Sequence, residues 1–307
     1  YAFYVSWHDL LGVGSSDVAG ATGIISSGSA ADPRSASSGV GGGNGFQSLN
    51  SDGSLLVASV AGSQSAVTAN VYVWLPPQYQ DPKYAKTRFP VIELFSGFPG
   101  SPSSWLHALH IADAMRAAIV RGAHPFVLVV PTINVAAPVD TECTDFPGGP
   151  KVATFLAHDV PQMLISRFRV RSDPLAWGAM GYSTGGFCAE KLALQYPERF
   201  HAAVSMSGYA QASSAMFASL PTLKRENSPG WLIAQRPSPD VELFLTASAQ
   251  DGSTAADARF MASNATLPTR VTVHILPSGG HNVRVWNAQL PECIQWLSAI
   301  LQGPQHG

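Results

Sequence analysis

The chain has 307 residues, of which 46% are hydrophobic and 12% are charged, and its formal net charge is -2. This length allows one large domain with a substantial buried core. Because the net charge is small and no basic patch is present, nucleic acid and an anionic membrane surface are excluded as expected partners. Gly, Ser, Ala, Thr and Pro take the place of charged residues, a composition common in exported proteins.

No run of about 18 or more apolar residues occurs, so the sequence predicts no transmembrane segment. The chain begins at Tyr1 and lacks a basic region followed by an apolar leader. Its aromatic and apolar residues 1–11 are compatible with a removed leader or anchor, or with a trimmed chain. The composition and a removed leader would both fit an exported protein.

Residues 12–66 are rich in Gly and Ser and show no helical period, with GVGGGNG as the extreme. Within them, residues 54–60 alternate enough to predict a strand. We interpret residues 1–66 as an irregular N-terminal arm packed on a domain of residues 67–307. A flexible linker is the alternative.

From residue 67 the pattern predicts strands. Residues 67–75 (VTANVYVWL) alternate and are rich in β-branched side chains. Short apolar runs bounded by Gly and Pro follow, and such runs are typical of strands buried on both faces of a parallel sheet. These runs are residues 89–95, 125–130, 176–182, 202–206, 241–247 and 270–276.

Helical periodicity appears between these strands. The helical segments are residues 104–120, 152–168, 184–196 and 286–301. Strands that alternate with helices of this length predict βαβ units and an α/β fold. We expect a mostly parallel, doubly wound sheet with helices on both faces, and the two earliest strands as antiparallel additions at one edge.

The pentapeptide Gly181-Tyr182-Ser183-Thr184-Gly185 fits G-x-S-x-G, the nucleophile elbow of the α/β-hydrolase fold. It follows an apolar strand and opens an amphipathic segment, which is the strand–turn–helix setting that the motif requires. In that setting the hydroxyl of Ser183 projects above the strand ends as a candidate nucleophile. The alternative is a Gly-rich turn without chemistry.

A serine hydroxyl needs an adjacent base, and the chain order expected in this fold is Ser, then Asp or Glu, then His. His281 follows Gly279-Gly280 on a loop between a strand and a helix, so it is the predicted general base. Asp251 follows the strand at 241–247 and is the predicted acid; Asp257 is its rival. The other histidines after the nucleophile are His201, His274 and His306.

Acyl transfer also needs donors that face the developing oxyanion. The first predicted donor is the backbone N–H of Thr184, which follows the nucleophile. The second should come from the loop Ser96-Gly97-Phe98-Pro99-Gly100. Because proline has no N–H, Phe98 is the expected donor in that loop.

The segment between residues 208 and 240 contains apolar side chains that are candidates for an acyl pocket over the nucleophile. Phe217 and Trp231 are the predicted substrate-binding residues. The alternative, that these side chains pack as core, is equally compatible with the sequence.

Three cysteines are present, at positions 143, 188 and 293, and none has the spacing of a metal site. We therefore expect neither a metal nor another cofactor. The sequence leaves two alternatives open: three buried thiols, or one disulfide and one remaining thiol.

These residues resemble the esterase D family of α/β-hydrolases, also called putative esterases, and within it the mycobacterial antigen 85 mycolyltransferases. The resemblance runs from about residue 67 to 301. Two stretches carry it, FLAHDVPQMLISRFRVRSDPLAWGAMGYSTGGFCAEKLALQYPERFHAAVSMSGY and SGGHNVRVWNAQLPECIQWL. It implies a secreted or cell-envelope serine acyl-hydrolase that uses Ser183, an acid near Asp251, and His281.

Two departures from the mycolyltransferases concern function. Those enzymes carry an Asp and an Arg that hold trehalose, where this chain has Ser96 and Pro99, and their acid is a Glu where this chain has Asp251. Related actinobacterial esterases carry cysteines resembling Cys143 and Cys188 together, so the resemblance implies a disulfide between them.

Three functions follow as hypotheses. The first is a serine carboxylesterase that hydrolyses small-molecule or lipid esters with hydrophobic or aromatic acyl groups. The second is an acyltransferase in which a sugar or lipid hydroxyl replaces water; the missing Asp/Arg pair favours water. The third is a non-catalytic cell-wall binding protein, which is disfavoured because all three catalytic positions are filled.

Overall fold

The computed structural model describes residues 45–307, so most of the predicted N-terminal arm, residues 1–44, lies outside the described residues. A nine-stranded sheet forms the centre of the described part, and two further short strands pair with each other. In chain order the strands are β1 (Gln47–Ser48), β2 (Leu55–Ala61), β3 (Thr68–Trp74), β4 (Thr87–Arg88), β5 (Val91–Phe95), β6 (Val127–Pro131), β7 (Trp177–Tyr182), β8 (Ala202–Met206), β9 (Glu242–Ser248), β10 (Arg270–Leu276) and β11 (Gln305–His306).

The strand order of the large sheet is β1-β2-β3-β6-β5-β7-β8-β9-β10. The strands from β6 to β10 in this order run parallel, while β1, β2 and β3 are antiparallel to their neighbours. The predicted α/β class, with a mostly parallel sheet and antiparallel strands at one edge, is confirmed. The sheet also includes residues 47–61, which precede the boundary predicted at residue 67.

Helices cover both faces of the sheet, as the alternating pattern predicts. The α-helices are α1 (Pro77–Gln80), α2 (Ile111–Val120), α3 (Val152–Thr154), α4 (Val160–Arg167), α5 (Thr184–Gln195), α6 (Pro221–Glu226), α7 (Pro229–Leu232), α8 (Thr254–Asn264) and α9 (Val283–Ile300). Short turns of other helical types lie at Pro82–Tyr84, Ser104–Ala108, Phe155–Asp159, Pro174–Ala176 and Ala215–Phe217.

The predicted helix over residues 104–120 is interrupted in the structure. A π-helical turn, Ser104–Ala108, precedes α2, and His110 between them has φ 47° and ψ 44°, the left-handed conformation. Trp105 and Ile111, on either side of the break, are both fully buried. The apolar stripe thus continues while the backbone changes direction, which is why the hydrophobic period alone predicts one helix.

The sheet separates two hydrophobic cores, because successive side chains of a strand point to opposite faces. In β5, Val91 and Phe95 belong to the core that contains Phe187 of α5, whereas Ile92 and Leu94 belong to the core that contains Trp286 of α9. The carboxyl ends of the parallel strands lie at one edge of the sheet. That edge carries the site described below.

One central position breaks the apolar pattern. Glu93 of β5 is fully buried, and neither of its carboxyl oxygens has a hydrogen-bond partner among residues 45–307. Burial raises the pKa of Glu93 well above its ordinary value, and the positive charge of Arg199 opposes this rise only in part. The folded protein therefore favours the protonated carboxyl at this position.

We expect Glu93→Gln to stabilise the protein in a pH-dependent manner. The pKa of Glu93 is higher in the folded chain than in the unfolded chain. The ionisation of Glu93 therefore leaves stability unchanged below the pKa of the unfolded chain, and it destabilises the folded protein as pH rises above that pKa. At pH 8 the variant should gain on the order of 1–3 kcal/mol in free energy of unfolding, and near pH 5 the gain should shrink. Urea unfolding at both pH values measures this, and an equal gain at both would contradict it.

Candidate active site

The side chains predicted to carry chemistry lie on three loops at one edge of the sheet. Ser183 follows β7, Asp251 lies beyond the end of β9, and His281 lies between β10 and α9. Since β7, β9 and β10 belong to the parallel part of the sheet, their carboxyl ends share this edge. Ligand sites of open α/β sheets form at this edge.

The turn that presents Ser183 is strained and tightly packed. Ser183 has φ 56° and ψ -126°, which is unusual for a residue with a side chain. A side-chain carbon at Gly181 would lie 2.0 Å from Gly185 O, and one at Gly185 would lie 2.0 Å from Phe95 O. Only glycine fits at these two positions, so the structure gives a steric reason for both glycines of the pentapeptide.

The three side chains form a continuous hydrogen-bonded row. Ser183 Oγ lies 2.9 Å from His281 Nε2, and His281 Nδ1 lies 2.8 Å from each carboxylate oxygen of Asp251. The carboxylate accepts from Nδ1–H, so Nε2 of the neutral ring accepts from the serine hydroxyl. The Asp251 side chain is 1% exposed and that of His281 10% exposed. The carboxylate thus fixes both the orientation and the tautomer of the ring.

The rival acid, Asp257, occupies a different place. It lies in the first turn of α8 and accepts a hydrogen bond of 2.9 Å from Ser253 Oγ. Burial raises the pKa of the Asp257 carboxyl, and the hydrogen bond from Ser253 opposes the rise. Asp257 lines the cavity over Ser183, whereas Nδ1 of the imidazole bonds to Asp251. The geometry therefore favours Asp251 as the partner of the imidazole.

A cavity of about 800 Å³ opens over Ser183. Residues with polar side chains are the majority along its wall, but apolar atoms supply most of the exposed wall surface. It is lined by Phe98, Pro99, Asp140, Ser183, Thr184, Tyr209, Gln211, Ala212, Ser213, Lys224, Gly252, Ser253, Thr254, Asp257 and His281. The segment between β8 and β9 thus contributes to the wall, but through other residues than those predicted.

The two predicted oxyanion donors, Phe98 and Thr184, both line this cavity together with Ser183. Thr184 is the first residue of α5. The backbone N–H groups at the start of a helix have no partner within the helix, and the helix dipole favours negative charge there. Asn134 Nδ2 donates to Gly97 O at 3.2 Å and fixes the loop that carries Phe98. The N–H groups of Thr184 and Phe98 remain the expected oxyanion donors at this site.

The structure does not bring Phe217 and Trp231 to the cavity. Phe217 is 2% exposed and packs against Phe146, with ring centroids 4.9 Å apart. Trp231 lies in α7, and the guanidinium of Arg225 lies 5.7 Å from its ring centroid. Phe217 thus packs as core, which is the alternative that the sequence left open for this segment, whereas Trp231 is half-buried away from the cavity wall.

Cys143 and Cys188 form a disulfide, the pairing that the family resemblance implies, and Cys293 is a buried free thiol. The bond joins the loop after β6 to the first half of α5, which begins directly after Ser183. Among the described residues, no group of three or more His, Cys, Asp or Glu side chains could hold a metal ion. In the same residues, no helix is long and apolar enough to cross a membrane.

Removing the disulfide should destabilise the protein. It closes a loop with a sequence separation of 45 residues, so its loss allows the unfolded chain more conformations. We expect the double variant Cys143→Ala/Cys188→Ala to lose about 2–4 kcal/mol in free energy of unfolding. Urea unfolding measures this. Wild-type protein in reducing agent is the matched control and should approach the variant; identical unfolding curves for oxidised wild type and variant would contradict the expectation.

The structure adds a polar network beside Thr184 that the sequence analysis missed. Asp140 and Tyr209 both approach the Thr184 hydroxyl, while Glu142 and the fully buried Lys191 lie behind them. Burial raises the pKa of Asp140 to about 6 and lowers the pKa of Lys191 to about 7. The available signal was Lys191 itself, because a charged residue in a largely apolar helical segment needs hydrogen-bond acceptors if it is buried.

Comparisons with known proteins identify a family and several structural neighbours. A family model described as putative esterase matches residues 65–297. An uncharacterized protein of Corynebacterium glutamicum is 25% identical over 268 residues, covering 80% of this chain and 62% of that protein. The chain thus spans less than two thirds of the length of this curated relative.

Several solved structures share the fold. A ferulic acid esterase superposes with a TM-score of 0.67 at 21% identity, covering 80% of this chain and 98% of that one. An S-formylglutathione hydrolase from Agrobacterium tumefaciens gives a TM-score of 0.67 at 14% identity, covering 85% of this chain and 98% of that one. MPT51 of Mycobacterium tuberculosis gives a TM-score of 0.61 at 17% identity, covering 84% of this chain and 99% of that one. At these identities the likenesses establish the fold.

Proposed function

This chain belongs to the putative esterase family, and from that membership we propose that it is a serine carboxylesterase that acts through an acyl-enzyme. The observation that carries the proposal is the hydrogen-bonded row from Ser183 Oγ through the His281 ring to the Asp251 carboxylate. A base within hydrogen-bond distance of the hydroxyl, itself oriented by a carboxylate, activates a serine nucleophile.

In the proposed first half-reaction, Ser183 Oγ attacks the ester carbonyl carbon while His281 Nε2 takes the hydroxyl proton. Asp251 stabilises the imidazolium that forms. The N–H groups of Thr184 and Phe98 donate to the carbonyl oxygen as it becomes an oxyanion. The tetrahedral intermediate then breaks its bond to the alcohol oxygen, which takes the proton from His281 Nε2.

In the second half-reaction, water enters where the alcohol left. His281 Nε2 takes a proton from this water, whose oxygen attacks the acyl carbon bound to Ser183 Oγ. The resulting intermediate releases the carboxylic acid and returns the proton to Ser183. The same groups act in both halves, so a single imidazole serves as base and then as acid.

For the substrate, we propose esters with hydrophobic or aromatic acyl groups. Phe98, Pro99 and Ala212 supply apolar surface close to the nucleophile. The polar remainder of the cavity wall, including Gln211 and Ser213, suits the more polar alcohol part of such an ester.

An acyltransferase is the second candidate, because the first half-reaction is the same and the cavity of about 800 Å³ has room for an alcohol acceptor. The residues at positions 96 and 99 favour water, since they are a serine and a proline rather than the charged pair that holds trehalose in the mycolyltransferases. Product analysis separates the two candidates.

We also propose that the protein works outside the cytoplasm. This location is supported by the buried Cys143–Cys188 disulfide, since disulfides persist in oxidising compartments. Native protein recovered from its own cells with both thiols free would count against this location.

The experiment that tests the proposed function uses p-nitrophenyl esters of acetate, octanoate and cinnamate, with and without a sugar alcohol as acceptor. We expect a burst of p-nitrophenol and a covalent acyl group on the peptide that contains Ser183. A fluorophosphonate should label the same serine. Turnover without any acyl-enzyme would overturn the proposal, and acylated sugar as the main product would select the transferase.

A further inference from the structure

Residues 140–145, called here the clamped loop, are tied to helix α5 by covalent and polar contacts. The disulfide joins Cys143 to Cys188 in the second turn of the helix. One turn further along, the fully buried Nζ of Lys191 donates hydrogen bonds of 2.7 Å to the carbonyl oxygens of Glu142 and Cys143. The loop therefore has a fixed position relative to the helix that begins beside the nucleophile.

The Glu142 side chain provides a second set of contacts for the clamped loop. Its carboxylate accepts from Tyr209 Oη at 2.9 Å, from Ser213 Oγ at 2.8 Å, and from Ser213 N at 2.9 and 3.0 Å. Glu142 and Cys143 have φ values of 45° and 51°, which residues with side chains rarely adopt. Such strain persists where surrounding contacts over-determine the backbone, and it is concentrated at functional sites.

The clamped loop delivers one carboxylate to the active site. Asp140 Oδ2 accepts a hydrogen bond of 2.9 Å from Thr184 Oγ1, and Asp140 Oδ1 accepts one of 2.8 Å from Glu142 N. Asp140 lines the same cavity as Ser183. Its partner, Thr184, directly follows the nucleophile and carries the N–H that we propose as an oxyanion donor.

We propose that Asp140 is a positioning residue for ester hydrolysis: it holds Thr184 by its hydroxyl and thereby fixes the N–H of Thr184 toward the oxyanion. The inference rests on the proposed function, because it concerns the same acyl-transfer step. It explains why covalent, cationic and anionic contacts all converge on one short loop. Donors to an oxyanion are effective when they are fixed before the reaction.

The charges around Asp140 give this role a pH dependence. Burial, assisted by the neighbouring Glu142 carboxylate, raises the pKa of Asp140 to about 6, while Lys191 opposes the rise. Tyr209 faces the same hydroxyl of Thr184. The other charged or titratable groups on the cavity wall are Lys224, Asp257 and His281. Above about pH 6 the carboxylate accepts a charge-assisted hydrogen bond from Thr184, and below it the protonated group accepts a weaker one.

The first test compares wild type with Asp140→Asn across pH 4.5–8.5, using p-nitrophenyl acetate read at an isosbestic wavelength. Asparagine stays neutral at every pH and mimics the protonated acid. We expect kcat about tenfold lower than wild type at pH 8, with KM within about twofold, and a difference that disappears below pH 5. A purely structural defect would lower the rate equally across the range, and that result would overturn the proposal.

A carboxylate of the clamped loop that lies away from the cavity wall provides the matched control. Asp145 accepts from the backbone N–H and the hydroxyl of Thr154 at 3.0 and 2.6 Å. We expect Asp145→Asn to leave the shape of the pH profile unchanged. If it altered the profile as Asp140→Asn does, the effect would belong to loop stability and the proposal would fail.

The second test approaches the same hydrogen bond from Thr184. Thr184→Val removes the hydroxyl and keeps the backbone N–H, so it should lower kcat about as much as Asp140→Ala. The double variant should be no slower than either single variant, because both remove one interaction. Thr184→Ser keeps a hydroxyl and should recover most of the loss seen in Thr184→Val. Multiplicative losses in the double variant would overturn the proposal.

The outcomes separate this inference from the proposed function. If Ser183→Ala is as active as wild type, the proposed function fails. If Ser183→Ala is inactive but Asp140→Asn has the wild-type pH profile, the proposed function stands and the inference about Asp140 fails.

Discussion

Replacing Ser183 by alanine should lower kcat on p-nitrophenyl esters by a factor on the order of 10⁴–10⁶. The substitution removes the atom that lies 2.9 Å from His281 Nε2, so no acyl-enzyme can form. The residual rate would come from the N–H groups of the oxyanion site and from binding. Because alanine keeps the side-chain carbon, the φ of 56° and the packing of the turn should persist.

A matched control is available on the neighbouring strand. Ser207 follows β8, also has a positive φ of 55°, and its Oγ accepts a hydrogen bond of 3.1 Å from Trp286 Nε1. Ser207→Ala makes the same chemical change in a similar backbone conformation, and we expect it to lose less than about tenfold in kcat. Stopped-time assays and fluorophosphonate labelling of all three proteins compare the effects. Equal rates for Ser183→Ala and wild type would refute the catalytic assignment.

Asp251→Asn should produce the second largest loss, about 10³–10⁴-fold in kcat. The buried carboxylate accepts from His281 Nδ1 through both oxygens, whereas an amide presents an N–H to the ring and favours the wrong tautomer. The imidazolium would also lose its nearby negative charge. Substrate binding should change little, because Asp251 is absent from the cavity wall.

Asp257→Asn is the discriminating comparison for this prediction. Asp257 bonds to Ser253 and only borders the cavity, so we expect a loss below about tenfold, expressed as much in KM as in kcat. Steady-state kinetics of both variants at pH 8 measure the two parameters separately. If Asp257→Asn were the more damaging variant in kcat, the acid would have to be reassigned.

The elbow and the positions of the strands along the chain were predictable because each depends on local pattern. Gly181 and Gly185 flank a serine between an apolar run and an amphipathic one, and the structure supplies the close approaches that require them. The loops after β9 and β10 could be placed because parallel strands bring segments that are distant in sequence to one edge of the sheet. Asp251 and His281 therefore lie where strand-end reasoning puts them.

Other parts of the site lay beyond sequence reasoning. Phe217 and Trp231 have the side chains of a pocket and equally those of a core, and only the path of the chain between β8 and β9 decides between them. The position of Asp140 beside Thr184 depends on the left-handed backbone of Glu142 and Cys143 and on a disulfide, and none of these has a periodic sequence pattern. Contacts between residues about forty positions apart require the folded chain.

The steric requirement for glycine at positions 181 and 185 affects how sequences descended from this one can be interpreted. Gly181 and Gly185 are required by the passage of one backbone past another, whether or not a reaction takes place there. A lineage that discarded the serine and kept the scaffold would still retain both glycines. In a genome survey the glycines would therefore mark inheritance of the architecture, and only the residue at position 183 would report whether a working enzyme has survived.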